Sequence, residues 1–314
     1  MPTINVALVM AGYENIKSIV TTFDSGGDTG RMRTDERGKI MAFSDYWRSL
    51  ISLWQDGDQK AVWEEMLQFR DGRDRNFGNA FFQFMAEKVG NITDVDELFS
   101  KLTGARLKGE VVPVSLEPSN ICFKTISGNS YCGENYLDGL RMSSDIVEKV
   151  WLEPKVFANK EAIKAIVESE VIIVCPGSMY GSVLINLLPK GMATAYKQSK
   201  AKKILMTNLM SVANENDGFS QKEYVNIFEK YLVMKSPFDM VIMADFDKLD
   251  QKILKKVYEN YRLEHSVPIK DNRKKNPFKT AVIDIAKIEV KNLRLRHSVT
   301  KLKKYFETSN WLDK

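Results

Sequence analysis

The sequence predicts an α/β fold, a mainly parallel sheet between helical layers with a small β-rich insertion, and three observations predict it. Strand-like and helix-like stretches alternate from Lys160 onward, the pattern of parallel strands joined by crossover helices. Val171-Ile172-Ile173-Val174 is continuously apolar, which suits a strand buried on both faces. Glycine-bearing loops follow two of the strand-like runs, at the strand ends where open α/β sheets bind ligands. Together they describe a Rossmann-like three-layer sandwich.

The elements follow in order. Ile4 to Met10 reads as a buried helix stopped at Gly12, and Ile16 to Phe23 as a strand. Tyr46 to Trp54, Ala61 to Phe69, Phe77 to Val89 and Asp94 to Leu102 carry helical apolar spacing. Between Gly109 and Leu152 the runs Val111 to Val114, Ile121 to Phe123 and Ile146 to Leu152 are short and strand-like, which places a β-rich insertion at about 104–157. A helix at Lys160 to Ser169, the strand from Val171, a helix across Ser182 to Leu188 and a strand at Lys203 to Thr207 come next. A helix from Ser220 to Tyr231 and a strand at Met240 to Ala244 continue the alternation. Beyond Asp245 the sequence holds a further helix, a strand at Thr280 to Ile285 and a terminal helix around Val299 to Phe306. Arg273 to Pro277 reads as an exposed loop. One domain is expected over residues 1–314, with a basic C-terminal segment at 246–314.

Composition narrows the function. With 314 residues, 44% hydrophobic and 28% charged, the chain can bury a large core without a disulfide or metal. No apolar run is long enough for a membrane span and no secretory signal opens the sequence, so a cytoplasmic protein is expected. Three cysteines, Cys122, Cys132 and Cys175, lack CxxC spacing, and His265 and His297 are the only histidines. That argues against a zinc site, a disulfide scaffold and most histidine-based catalysis. The net charge of +5 is concentrated from Asp250 to Lys314, where 17 basic face 8 acidic residues. A solvated basic face is favoured over a polyanion site, because no nucleic-acid motif accompanies the charge, and nucleic acid is not an expected partner.

Two loops and two asparagines could carry chemistry. Asp24-Ser25-Gly26-Gly27-Asp28-Thr29-Gly30-Arg31 could hold phosphate through inward amide N–H groups, with Arg31 and Arg33 adding bidentate contacts and Asp24 or Asp28 taking a sugar hydroxyl or Mg²⁺. It could equally be a glycine-rich turn whose acids cap the backbone. Cys175-Pro176-Gly177-Ser178-Met179-Tyr180-Gly181-Ser182 could bind an anion at a helix start, or Ser178 and Ser182 could be caps alone. Ser178 is no hydrolase nucleophile, because GxSxG is absent. Asn76 and Asn79 open a helix whose aromatic continuation reads as core. They either cap it or present amides to a sugar or base, and Asp45 has the same ambiguity. Cys175 follows an apolar strand and reads as a buried, inert thiol.

Taken together, Asp24 to Arg33, Asn76-Phe77-Gly78-Asn79, Cys175 to Tyr180 and Thr207-Asn208-Leu209-Met210 resemble the CofD/YvcK family, whose forms read approximately DDGGSSGRLR, SLGN, GPGSLY and CNLM. Asp217 to Ser220 and Arg296-His297-Ser298 extend the likeness over nearly the whole chain. The resemblance leans to the YvcK branch and implies a non-catalytic UDP-sugar-binding regulator linked to central carbon metabolism and cell shape. The alternative is a CofD-like transferase moving a phospholactyl-type group from a guanylylated donor to a deazaflavin, for which Mg²⁺ would be the implied cofactor. A third reading is a degenerate member that binds nothing tightly. By resemblance the nucleotide site comprises Asp24, Gly26, Gly27, Thr29, Gly30, Arg31, Asp45, Asn76, Asn79, Pro176, Gly177, Ser178 and Tyr180. Asn208, Tyr258 and Arg296 would line a distal pocket, no catalytic residue or metal ligand is assigned, and a homo-oligomer is allowed. Family members begin with a strand ending in GGGTG, and this chain starts inside that unit, so an upstream start is expected. Ile40 to Asp45 also departs from the family's Pro-rich stretch, although Asp45 is retained.

Overall fold

Alternation along two strands organises the computed structural model, which describes residues 1–24, 42–55, 57–139, 145–272 and 278–309. In β7 (Lys202–Met206), Ile204 and Met206 face one layer and Leu205 the other. In β8 (Met240–Ala244), Met240 and Ile242 alternate with Val241 and Met243 in the same way. A strand with both faces apolar must be covered twice. Helices therefore lie on both sides, and each fully buried aliphatic side chain contributes about 2 kcal/mol.

The main sheet is parallel, in the order β6 (Val171–Val174), β7, β8, β9 (Lys279–Ile283). β6 ends that order, and as the sequence led us to expect it is covered on both faces, Ile172 and Val174 packing on one layer and Val171 and Ile173 on the other, although only Ile172 is fully buried. β1 (Ile16–Val20) pairs in parallel with β2 (Gly109–Pro113). The expected strand to Phe23 is thus shorter, and Val111–Val114, read as part of an insertion, contributes to this parallel pair. β4 (Ser130–Cys132), β3 (Asn120–Thr125) and β5 (Val147–Glu153) form a separate antiparallel sheet.

On one face, α1 (Pro2–Met10) packs between α2 (Ser44–Leu53) and the terminal α11 (Val299–Thr308). Gly12, at φ +89°, releases the chain from α1, and the buried Asn5 amide donates to Ser18 Oγ at 2.9 Å and Ser52 Oγ at 3.0 Å. On the other face lie α7 (Lys160–Glu168), α8 (Met192–Gln198) and α9 (Gln221–Leu232). Asn159 accepts from Glu161 N–H and donates to the Pro113 carbonyl, so one residue caps α7 and ties it to β2. Ser220 and Glu223 form a capping box on α9. The first third of the chain is helical: α2, α3 (Asp58–Gln68), α4 (Phe77–Val89) and α5 (Val95–Thr103) close a second core with β1 and β2. α6 (Glu134–Gly139) and α10 (Gln251–Arg262) complete the helices named here.

Several expectations need correction. Residues expected as a helix over Ser182 to Leu188 form a π turn (Met179–Val183) followed by a 3₁₀ turn (Leu184–Leu187). α8, β4 and the antiparallel pair β10 (Ala286–Glu289) and β11 (Arg294–His297) were not anticipated. Cys122 and Cys132 are bonded across β3 and β4, a single disulfide that the sequence, read only as arguing against a disulfide scaffold, did not disclose. Gly133 N–H donates to the Ile121 carbonyl and Thr125 N–H to the Asn129 carbonyl, so Cys122 and Cys132 oppose each other at a non-hydrogen-bonded position, where facing side chains come closest. An odd cysteine count conceals such a register. The loop Arg273 to Pro277 lies outside the described residues. Among the described residues no helix is long and apolar enough to cross a membrane.

Candidate functional site

Asp24, Asp45, Ser178 and Asn208 stand where strands end or helices begin. The Met1 amino group acts electrostatically on Asp45, Cys175 and His297, so the starts of α1, α2 and α11 and the end of β6 share one side of the molecule. Tyr13 Oη donates to the Phe306 carbonyl at the far ends of α1 and α11, which therefore run parallel.

At the end of β1, Ser44 Oγ donates to Asp24 Oδ2 at 2.7 Å, and Asp45 follows in the first turn of α2. Burial raises the Asp45 carboxyl above its ordinary pKa, and the neighbouring Asp24 charge raises it further, against Arg48 and the Met1 amino group. Two carboxyl groups in one partly desolvated bay offer acceptors to sugar hydroxyls or base N–H groups. The same oxygen donor set fits Mg²⁺. Gly26, Gly27, Thr29, Gly30 and Arg31 lie outside the described residues.

Asn76 and Asn79 are buried within the helical third. Asn76 Oδ1 accepts from Asn79 N–H at 3.0 Å and caps α4, and its Nδ2 donates to the Leu67 carbonyl at 3.0 Å. Asn79 Oδ1 accepts from Trp47 Nε1 at 3.0 Å. The capping role open in the sequence is therefore filled, and Asn79 is tied by the indole to the helical core.

The loop after β6 is locked from two directions. Gly177 N–H donates to Asn208 Oδ1, and Asn208 Nδ2 donates back to the Gly177 carbonyl, each at 2.9 Å. This adds one side-chain rung beyond the point where β6 and β7 stop pairing. Ser178 Oγ caps the turn by accepting from Gly181 N–H at 2.8 Å. The hydroxyl is shared between both oxygens of Glu215 at 2.9 Å, and Tyr180 N–H donates to Glu215 Oε2 at 3.2 Å. An internal carboxylate thus takes donors that the sequence offered to an external anion. A Cβ on Gly181 would stand 2.8 Å from Glu134 Oε1, so the turn admits only glycine without displacement. Tyr180 is a core residue, its phenol held well above the ordinary pKa by burial. Cys175 is also raised by burial, as expected of an inert thiol. Sequence reasoning missed Glu215; its signal was an acid between two asparagines, Asn214-Glu215-Asn216, just after the Asn208 segment.

A cavity of about 170 Å³ opens at the ends of β7, β8 and β9. Asn208, Asp245, Phe246, Asp247 and Asp271 are on its wall, so Asn208 links the β6 loop to this cavity. Asp245 accepts from Asp247 N–H, and Asp271 from Gln221 Nε2. Tyr258 contacts Phe246 with ring centres 6.5 Å apart, behind the wall. Arg296 lies on β11, exposed and 3.8 Å from Glu289, and is not part of the lining. Among the described residues no three His, Cys, Asp or Glu side chains form a metal-sized group.

Comparisons with known proteins agree with one another. The profile of the family described as 2-phospho-L-lactate transferase CofD matches residues 4–288. A gluconeogenesis factor homologue of Aquifex aeolicus is 31% identical over 234 residues, covering 73% of this chain and 68% of the relative. One from Thermotoga maritima is 28% identical over 321 residues, covering 98% of this chain and 96% of its own length. A crystal structure of a UPF0052 family member from Bacillus halodurans superposes with a TM-score of 0.82 at 23% identity, over 97% of this chain and 95% of that one, a likeness of fold.

Proposed function

The chain belongs to the CofD family, and on that premise we propose that it is a nucleotide-sugar-binding regulatory protein of the gluconeogenesis-factor type, with a UDP-sugar as ligand. The observation that supports this reading is that two polar stretches far apart in sequence, the Asp24–Asp45 bay and the Asn208-locked Pro176–Tyr180 loop, both lie near the start of α1. Carboxylates that accept from hydroxyl and N–H donors suit the sugar and base ends of such a ligand. Because Glu215 takes Ser178 and Tyr180, this loop shapes the site, and the diphosphate falls to the Gly26 to Arg31 stretch. The link to central carbon metabolism follows the names of the relatives. The link to cell shape rests on the family resemblance alone.

Calorimetry with UDP-glucose against GDP tests the reading. Binding of UDP-glucose and a roughly tenfold loss in Asp24→Ala, about 1.4 kcal/mol, are expected, with the far-UV circular dichroism unchanged. Unchanged affinity in Asp24→Ala would remove the bay from the site, and flat titrations with both nucleotides would favour the degenerate reading. The paired carboxyl groups of Asp24 and Asp45 favour a second reading, a CofD-like transferase in which they hold Mg²⁺ or orient the acceptor. Turnover of a guanylylated donor with a deazaflavin would establish that activity.

A further inference from the structure

β4 is three residues long and lies at the edge of the small antiparallel sheet, against the central strand β3. Its last residue, Cys132, is exposed, whereas Cys122 on β3 is fully buried. A chain of 314 residues has core enough to fold without a covalent staple, and a bonded cysteine at the surface of an edge strand is one that a thiolate can reach. Beside the bond, the segment from Ile126 to Leu137 is held by the β3–β4 ladder, by Tyr131 stacked on Phe123 at 5.2 Å, and by Leu137 in the core. The bond spans 10 positions, and a cross-link of that length shifts the opening equilibrium of its loop by about a hundredfold.

Both edges of this sheet touch the turn after β6. Glu134, two residues beyond Cys132, stands against Gly181, where a Cβ would lie 2.8 Å from Glu134 Oε1. On β5, Val147 N–H donates to the Asn214 carbonyl at 3.0 Å, and the Val147 carbonyl accepts from Tyr180 Oη at 3.4 Å. Tyr180 N–H and the Ser178 hydroxyl share the Glu215 carboxylate, next to Asn214 in the chain. The Ser178–Gly181 turn is therefore braced by β5 on one side and by the β4–α6 segment on the other. Opening the disulfide loosens the second brace and leaves the first.

We propose that Cys122–Cys132 is a thiol–disulfide switch that sets the order of the Ser178–Gly181 turn. A dithiol reductant opens it: one thiolate attacks Cys132 Sγ, the S–S bond breaks with its electron pair on Cys122 Sγ, and that sulfur takes a proton. The second thiolate then attacks the mixed disulfide, Cys132 leaves and is protonated, and the reductant becomes its own disulfide. The reverse exchange with an oxidised dithiol closes the switch, because the β3–β4 register keeps the two cysteines facing. Any effect on ligand affinity rests on the nucleotide-site reading, whereas the motion is read on the ligand-free chain. Hydrogen exchange of the full chain, air-oxidised or treated with dithiothreitol, tests it. Dithiothreitol should open the bond without denaturant, accelerate exchange from Cys132 to Leu137 about a hundredfold and from Tyr180 to Val183 about tenfold, and leave the far-UV circular dichroism unchanged. Cys132→Ser, at an exposed position, should exchange like the reduced protein in either buffer. A bond that yields only in urea, or a turn that exchanges alike in both redox states, overturns the inference. So does alkylation of both cysteines in the unfolded, unreduced chain.

Discussion

Two buried ionisable groups should oppose each other in the response of stability to acid. Asp96, in the first turn of α5, accepts from Tyr46 Oη and from Val111 N–H at 2.8 Å. Those bonds favour its charge, but burial outweighs them and pushes its pKa from 3.8 up to about 6. His297, at the end of β11, is lowered by burial from 6.5 to about 4, with its Nε2 buried and without a partner. Asp96 binds its proton more tightly when folded, so its contribution is present below pH 3.8 and lost as pH rises through 6. His297 binds its proton less tightly when folded, so its contribution is present above pH 6.5 and lost as pH falls through 4. Each shift corresponds to about 3 kcal/mol at 1.36 kcal/mol per pH unit. Urea unfolding from pH 4 to 7 reads both as differences from the wild type. In Asp96→Asn the stability should climb with pH by about 3 kcal/mol more than in the wild type, and in His297→Gln by about 3 kcal/mol less. If both variants parallel the wild-type curve, neither group is buried as described and the reasoning fails.

Two further outcomes follow from the packing. Glu215→Ala leaves the Ser178 hydroxyl and the Tyr180 N–H without their acceptor and should cost about 2–4 kcal/mol, with faster hydrogen exchange confined to the turn after β6. Wild-type protection there would show that Glu215 does not hold the loop. Gly78→Ala places a Cβ 2.7 Å from the Leu67 carbonyl oxygen and 3.0 Å from the Trp47 indole, so α3 and α4 must move apart at a cost of about 1–3 kcal/mol. A raised or unchanged urea midpoint would contradict the close approach of α3 and α4.

Strong periodicity made some elements legible to the residue. Phe77–Val89 and Met240–Ala244 were both read with the ends they adopt, the first because its apolar face recurs over three turns between an asparagine cap and Gly90, the second because it is an unbroken apolar run. Ala286–Glu289 and Arg294–His297 were not, since four-residue strands with alternating charge look like loop until they pair. The Cys122–Cys132 bond depends on cross-strand register, which no count reveals. In the candidate site, the sequence could name Ser178 and Asn208 but not what they face. Glu215 reaches Ser178 across 37 positions, and only the folding of the segment after β7 onto the β6 loop creates that contact. For Asn76, the capping role and the ligand role use the same atoms, and the choice was made by the neighbouring Leu67 carbonyl.

The reciprocal bonding of Asn208 with Gly177 also makes this brace depend on one intact carboxamide. Hydrolytic loss of ammonia from the Asn208 carboxamide would leave a carboxylate oxygen opposed to the Gly177 carbonyl, acceptor against acceptor, where a donor had been. Aged or heat-stressed preparations would then gain one negative charge and lose the brace between two sheet ends while the polypeptide stayed whole, so isoelectric focusing would detect the damaged fraction before gel mobility did.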